Sequence, residues 1–182
     1  MGESTRRSGK ARANELGSSP PRTRAIVAGA ANSCTSVAAL ADTNVLVYRF
    51  DPRFPGKQAI ATRLLRDGIA SGDLRVSHQA LVEFFAAVTR RLPPDRAPLL
   101  STADACRETE ELLSQFDVLF PNQALLRLAI RGGVTYGLSW FDAHMWAYAE
   151  HFGIDTLLSE DFQHDRIYGS VRVVNPFQDL AR

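Results

Sequence analysis

Four carboxylates lie in apolar surroundings along this chain, namely Asp42, Glu83, Asp142 and Asp161. Burial of an ionised carboxylate is costly unless the group is paired, hydrogen-bonded or bound to a metal, and no lysine lies near these acids in sequence. A hard divalent cation would stabilise such a group, because it prefers oxygen ligands. The residue types therefore indicate a site for a divalent metal ion.

Each acid also has a purely structural interpretation when it is considered alone. Asp42 can cap a following helix, and Asp161 can occupy a turn or cap the next helix. Asp142 lies three residues after Ser139, which is the spacing of a capping box. Glu83 stands in the middle of an apolar helical run and is the hardest of the four to explain without a function. The four histidines contain no His-x-x-x-His pair, which favours structural or solvated roles for them.

The segments that must position these acids alternate between strands and helices. Short apolar runs predict strands at residues 37–41, 74–76, 118–120, 156–158 and 171–174. Helical spacing and capping residues predict helices at residues 57–69, 77–91, 101–115, 122–131 and 139–152, the fourth of them ended by Gly132 and Gly133. This alternation predicts an α/β sandwich around a mainly parallel sheet, with ligands beyond the carboxyl ends of the strands. Asp42 and Asp161 both follow strands, so we expect them at that edge.

Composition and charge exclude several classes of protein. The chain is 45% hydrophobic and 23% charged, as in ordinary globular proteins, and it has no apolar run long enough to cross a bilayer. Residues 1–40 contain six basic and two acidic residues, whereas the remainder contains 15 basic and 18 acidic residues. Any binding of nucleic acid must therefore be local, since the body lacks bulk positive charge. Two cysteines cannot form a disulfide framework, and we expect a cytoplasmic protein.

The first 36 residues differ in composition from the rest of the chain. They are rich in Gly, Ser, Ala, Arg and Pro and show no sustained periodicity, which predicts disorder. An alternative hypothesis is that translation begins near Val37 and that residues 1–36 reflect the choice of a wrong start codon. The expected organisation is an extension at residues 1–36 followed by one folded domain at residues 37–182.

Four sequence blocks, in chain order, resemble the PIN-domain ribonucleases and, among them, the VapC toxins of bacterial toxin–antitoxin pairs. The four blocks surround one acid each and are residues 41–47, 76–84, 139–143 and 156–164. A terminal strand similar to that of the family follows in residues 173–177. The resemblance covers about residues 37–177. It has two departures, because Asp165 stands where many relatives have glycine and the extension has no counterpart in the family.

The resemblance implies a three-layer α/β sandwich and an endoribonuclease that hydrolyses RNA phosphodiester bonds with Mg²⁺, or with Mn²⁺ as a substitute. It implies catalytic and metal-binding roles for the four acids, with Asp42 and Asp142 as the preferred direct ligands. Supporting positions fall on Ser159 and Asn44, and Glu160 is an alternative to Asp161 as the fourth ligand. The implied partners are an RNA substrate, a small VapB-like antitoxin encoded next to this gene, and a second copy in a homodimer, with no membrane partner.

Three other classes of protein share parts of this pattern. A phosphotransferase of the haloacid-dehalogenase type requires an aspartate two positions after the first acid, where this chain has Asn44. A receiver domain requires a lysine late in the chain, which is missing here. A PIN-like module that binds RNA or protein without catalysis is the main alternative, and the retention of all four acids argues against it.

Overall fold

The computed structural model describes residues 38–91 and 97–181. The predicted extension at residues 1–36 and the alternative start near Val37 lie outside the described residues. Within the described ranges, no helix is both long enough and apolar enough to span a membrane.

In the part of the chain that the structure describes, six strands form one sheet, and six α-helices and a short 3-10 helix connect or follow them. The strands are β1 Ala39–Ala41, β2 Leu74–Ser77, β3 Asp117–Leu119, β4 Thr156–Leu158, β5 Ile167–Tyr168 and β6 Val171–Val174. The helices are α1 Thr43–Tyr48, α2 Pro55–Ser71, α3 His78–Thr89, α4 Thr102–Gln115, α5 Gln123–Tyr136 and α6 Trp140–His151, with the 3-10 helix at Gln178–Ala181. The predictions of five strands are confirmed within one or two residues, apart from Val37, which is not among the described residues. The strand β5 and the 3-10 helix were not predicted, and the helix α1 was anticipated only by the interpretation of Asp42 as the cap of a following helix.

The sheet has the strand order β3-β2-β1-β4-β6-β5. All neighbouring strands are parallel except β5, which pairs antiparallel with β6. The consecutive residues Leu40 and Ala41 point to opposite faces of the central strand and both are fully buried. Both faces of the sheet are therefore covered, which is the usual arrangement for parallel strands. This confirms the prediction of an α/β fold with a mainly parallel central sheet.

Serine caps begin the helices that carry Glu83 and Asp142. The side chain of Ser77 accepts a hydrogen bond from the backbone N–H of Ala80 at the start of α3, as predicted. The side chain of Ser139 accepts one from the backbone N–H of Asp142 at the start of α6. Such caps satisfy N–H groups that have no partner within the helix, so these helix starts are determined locally.

The predicted end of the fourth helix at Gly132 and Gly133 is wrong. The helix α5 continues through both glycines to Tyr136 and ends at Gly137, which has a φ of 66° in the left-handed region. Gly132 is buried against α6, where a Cβ atom would overlap the ring of Trp146. The glycine therefore permits two helices to approach closely, which is a requirement of packing and not a signal for a helix end.

Candidate active site

The carboxyl edge of the sheet brings distant parts of the chain together. Ala41 at the end of β1 is in register with Val76 on one side and with Leu158 on the other. The residues that follow β1 and β4 are Asp42 and Ser159, and both are buried at this edge. The backbone N–H of Asp42 donates to the carbonyl oxygen of Leu158 over 3.0 Å. Parallel pairing therefore places these two side chains next to each other across more than 100 residues of sequence.

Asp42 is the most buried of the four predicted acids, with only 6% of its surface exposed. Its carboxylate caps α1 by accepting a hydrogen bond of 2.6 Å from the backbone N–H of Thr43. The hydroxyl of Ser159 donates to the same carboxylate over 2.5 Å. The pKa of Asp42 is raised to about 7, mainly by burial and to a smaller extent by the carboxylates of Asp161 and Glu83, although these two hydrogen bonds lower it. A bound cation would favour the ionised form that burial disfavours.

Asn44 links Asp42 to Asp161. Its amide nitrogen lies 3.3 Å from Oδ2 of Asp42, 3.3 Å from Oγ of Ser159 and 3.2 Å from Oδ2 of Asp161. The backbone N–H of Asp161 donates to Oγ of Ser159 over 3.1 Å. Within the described residues, the buried Oδ1 atom of Asn44 has no hydrogen-bond partner. The two predicted supporting residues, Asn44 and Ser159, therefore connect two of the four acids.

Both oxygens of Glu83 are oriented by side chains that the sequence analysis did not identify. The hydroxyl of Thr43 donates to Oε2 and the amide nitrogen of Gln79 donates to Oε1, each over 2.8 Å. Gln79 also donates to the backbone oxygen of Phe141 over 3.1 Å, which connects α3 to the first turn of α6. Gln79 lies four residues before Glu83, a spacing at which helical side chains meet, so its contact was accessible from sequence. The contact of Thr43 depends on the tertiary fold.

Asp142 takes part in a helix cap and also lines a cleft. Its backbone N–H donates to Oγ of Ser139 over 3.2 Å, and its Oδ2 atom accepts from the hydroxyl of Ser139 over 2.7 Å. It therefore belongs to the cap of α6. The same residue lines a cleft of about 560 Å³ whose walls include the other three acids, Asn44 and Gln79. Capping and a position in the cleft are thus compatible.

The four acids share this cleft, but they are not drawn together as a preformed metal centre. No group of three or more His, Cys, Asp or Glu side chains in residues 38–91 and 97–181 is arranged to hold a metal ion. The carboxylate of Glu160 turns away from the acids, since it accepts hydrogen bonds from Tyr48 and, over 2.5 Å, from Lys57. None of the four histidines, all of which are described, lines the cleft. The geometry therefore groups Asp161, and not Glu160, with Asp42.

Several solved structures have a similar fold. VapC20 of Mycobacterium tuberculosis, a toxin that cleaves the sarcin–ricin loop, is 18% identical with a TM-score of 0.50, over 66% of this chain and 87% of that chain. FitAB bound to an IR36 DNA fragment is 20% identical with a TM-score of 0.55, over 76% and 95%. VapBC2 of Rickettsia felis, bound to a DNA fragment from its promoter, is 12% identical with a TM-score of 0.51, over 75% and 96%. At these identities the likeness establishes the fold alone.

Sequence comparison identifies the family. No curated protein matches this chain significantly. The family model of the PIN domain matches residues 39–170, which is well over half of the chain and contains all four acids. PIN domains are generally nucleases. The resemblance inferred from the four sequence blocks is thereby confirmed, and this chain belongs to the PIN-domain family.

Proposed function

We propose that this protein is a metal-dependent endoribonuclease and the toxin of a toxin–antitoxin pair. The observation that carries the proposal is that Asp42, Glu83, Asp142 and Asp161 line one cleft at the carboxyl edge of a PIN-domain sheet. The likeness in fold to VapC20, a toxin that cleaves the sarcin–ricin loop, supports RNA as the substrate class. The likeness to VapBC2, in which a toxin and an antitoxin are bound to promoter DNA, supports an antitoxin partner.

The donor atoms in the cleft fit Mg²⁺, with Mn²⁺ as a substitute, since carboxylate oxygens are the ligands that these hard cations prefer. Two observations support a cation here. Asp42 has a raised pKa because it is buried, and Oδ1 of Asn44 is a buried acceptor without a partner in the described residues. We assign Asp42 and Asp142 as direct ligands, Asp161 as the residue that completes the site, and Glu83 as a ligand or as the residue that positions water.

The side chains around the cleft would prepare the site for hydrolysis. A bound cation would supply the charge that lowers the pKa of a water molecule and stabilises the leaving oxygen. Thr43 and Gln79 hold Glu83 through one hydrogen bond to each carboxylate oxygen, so a lone pair on either oxygen can accept a proton from the attacking water. Ser159 and Asn44 hold Asp42 and Asp161 in fixed positions relative to each other. Such orientation before the reaction lowers the cost of reaching the transition state.

Cleavage of RNA by the purified full chain tests the nuclease assignment. We expect degradation with Mg²⁺ or Mn²⁺, none with EDTA, and a loss of at least about 100-fold in the variants Asp42→Asn and Asp142→Asn. Asp104→Asn is a matched control, because Asp104 caps α4 through Ser101 with a hydroxyl contact of 2.7 Å and a backbone contact of 3.1 Å. Asp142 makes the same pair of contacts with Ser139, but it alone of the two lines the cleft. Unchanged cleavage by both site variants would refute the assignment.

Growth assays and the neighbouring gene test the toxin assignment. Expression of the wild-type chain should arrest growth, whereas expression of Asp142→Asn should not. Co-expression with the small protein encoded next to this gene should restore growth, and the two proteins should purify together. Light scattering should give the mass of a homodimer for the toxin alone. Growth arrest by both the wild type and Asp142→Asn would show that toxicity does not depend on the proposed site.

A further inference from the structure

Arg53 is a basic side chain at the edge of the acidic cleft. Among the described residues that line the cleft it is the sole arginine or lysine. Its side chain is 40% exposed, so a ligand in the cleft can reach it. A strongly negative cleft repels a polyanionic substrate, and a cation at its edge would reduce that repulsion for the segment of substrate that enters.

The guanidinium of Arg53 is held in a fixed orientation by Asp51. Its Nε and Nη2 atoms donate to the two carboxylate oxygens of Asp51 over 2.7 Å and 2.5 Å, in a bidentate pair. The backbone N–H of Arg53 donates to the same carboxylate over 3.1 Å. Asp51 is only 2% exposed, and the hydrogen bonds from Arg53 keep the pKa of its carboxyl below the usual value. On another side, the guanidinium carbon lies 5.9 Å from the ring centroid of Phe54.

This arrangement leaves part of the guanidinium available to a ligand. An arginine has five side-chain N–H donors, and the pair with Asp51 uses one at Nε and one at Nη2. The other three meet no acceptor within the described residues. A planar fork with free donors matches the oxygen atoms of a phosphate better than a lysine ammonium does. A purely structural ion pair explains the contact with Asp51, but it leaves these donors without an acceptor on a residue that lines the acidic cleft.

We propose that Arg53, oriented by Asp51, binds a backbone phosphate of the RNA at the edge of the acidic cleft. The inference rests on the proposed function, because it takes RNA as the substrate. Arg53 would contribute affinity and position the strand, whereas the four acids would carry out the reaction. Asp51 would act through Arg53 as a positioning residue.

Binding of a short fluorescent single-stranded RNA to the full chain tests this inference. Fluorescence anisotropy is measured in EDTA over a series of salt concentrations, and a gel afterwards verifies that the RNA is intact. We expect Arg53→Gln to weaken binding about 10-fold, because the variant loses a charge-assisted hydrogen bond to a phosphate. The slope of log K against log salt should fall by about 1, because one phosphate contact is lost. Arg66→Gln is the matched control, as Arg66 is 70% exposed, pairs with Asp67 and lies outside the cleft lining.

Two further variants separate orientation from charge. Arg53→Lys keeps the charge but not the fork, so we expect affinity between those of the wild type and Arg53→Gln. Asp51→Asn removes a negative charge, so a purely coulombic effect predicts tighter binding. A role of Asp51 in orientation predicts weaker binding instead, because the neutral amide holds the guanidinium less firmly. Circular dichroism of each variant shows whether it is folded, and Arg53→Lys decides the question if Arg53→Gln does not fold.

The outcomes separate this inference from the proposed function. If the wild type cleaves RNA and Arg53→Gln binds it as tightly as Arg66→Gln does, the role of Arg53 is refuted and the nuclease assignment stands. If the wild type binds RNA with the expected loss in Arg53→Gln but does not cleave it, the role of Arg53 is supported and the nuclease assignment fails. A wild-type chain that neither binds nor cleaves RNA refutes both.

Discussion

Replacement of Asp42 by asparagine should stabilise the metal-free protein at alkaline pH. Asp42 is 6% exposed, and burial raises its pKa from the usual 3.8 to about 7. Between these two values the unfolded chain has released its proton while the folded chain retains it. Stability therefore falls as the pH rises from about 4 to about 7, and above that range the full cost of the buried charge is present. An asparagine at position 42 has no charge and removes this dependence.

The pKa of Asp42 determines the size of the effect. The difference between 3.8 and about 7 corresponds to about 4 kcal/mol, and about 3 kcal/mol of this is lost between pH 5 and pH 8. Asparagine can still accept from the backbone N–H of Thr43, but it loses an acceptor for the hydroxyl of Ser159. That loss costs about 1 kcal/mol and does not depend on pH. It therefore cancels when the stabilities at two pH values are compared.

Urea unfolding in EDTA, followed by circular dichroism near pH 5 and near pH 8, measures the effect. The free energy of unfolding of the wild type should fall between these pH values by about 3 kcal/mol more than that of Asp42→Asn. At the higher pH, Mg²⁺ should stabilise the wild type more than the variant. Asp104→Asn is the control for removal of one carboxylate, since the hydroxyl of Ser101 and the guanidinium of Arg107 lower the pKa of Asp104. Parallel pH profiles for the wild type and Asp42→Asn would refute the reasoning.

Three further predictions concern positions that support the fold. Gly132→Ala should destabilise the protein by about 1–3 kcal/mol, because its methyl group would overlap an indole ring of α6. The Cβ atom of Gly133→Ala would lie 3.7 Å from its nearest neighbour, so this variant should be neutral or stabilising by up to about 1 kcal/mol. Thermal unfolding of both variants checks this, and equal effects would contradict it. Asp165 has a φ of 61°, so Asp165→Gly should be more stable than Asp165→Ala by about 1 kcal/mol in urea unfolding, although both lose the same ion pairs. Lys57→Met should destabilise the protein by about 1–3 kcal/mol, since it leaves the partly buried carboxylate of Glu160 without the lysine ammonium that pairs with it. A second change, Glu160→Gln, should restore most of the lost stability. A double variant no more stable than Lys57→Met would show that the unpaired charge is not the cause.

Local sequence was sufficient to predict most of the elements and the place of two acids. The strand runs around Leu40 and Leu157 are apolar because both faces of the sheet are covered, so they can be identified without the tertiary structure. Ser77 and Ser139 start helices through contacts with residues three positions later. The position of Asp42 directly after a buried strand predicts a side chain at the ligand edge of a parallel sheet.

Contacts between distant segments decided the rest. Gly132 has the sequence signature of a helix end, but the ring of Trp146 from another helix explains its small size. Glu160 and Asp161 are neighbours of similar charge, and sequence alone left the choice between them open. In the folded chain, Lys57 lies 103 residues from Glu160 in sequence and pairs with its carboxylate, while Asn44 contacts Asp161.

The sequence by itself therefore determined the fold class and the starts of α3 and α6, because these depend on burial patterns and on contacts within a few residues. The four candidate acids came from their apolar surroundings together with the resemblance to the PIN family. Only the tertiary structure determined which side chains orient the acids, since the contact of Thr43 with Glu83 and that of Asn44 with Asp161 join segments 40 and 117 residues apart. It also brought Arg53 and its partner Asp51 to the same cleft. A carboxylate in sequence shows that a charge must be stabilised, and the packing of the sheet edge shows which groups stabilise it.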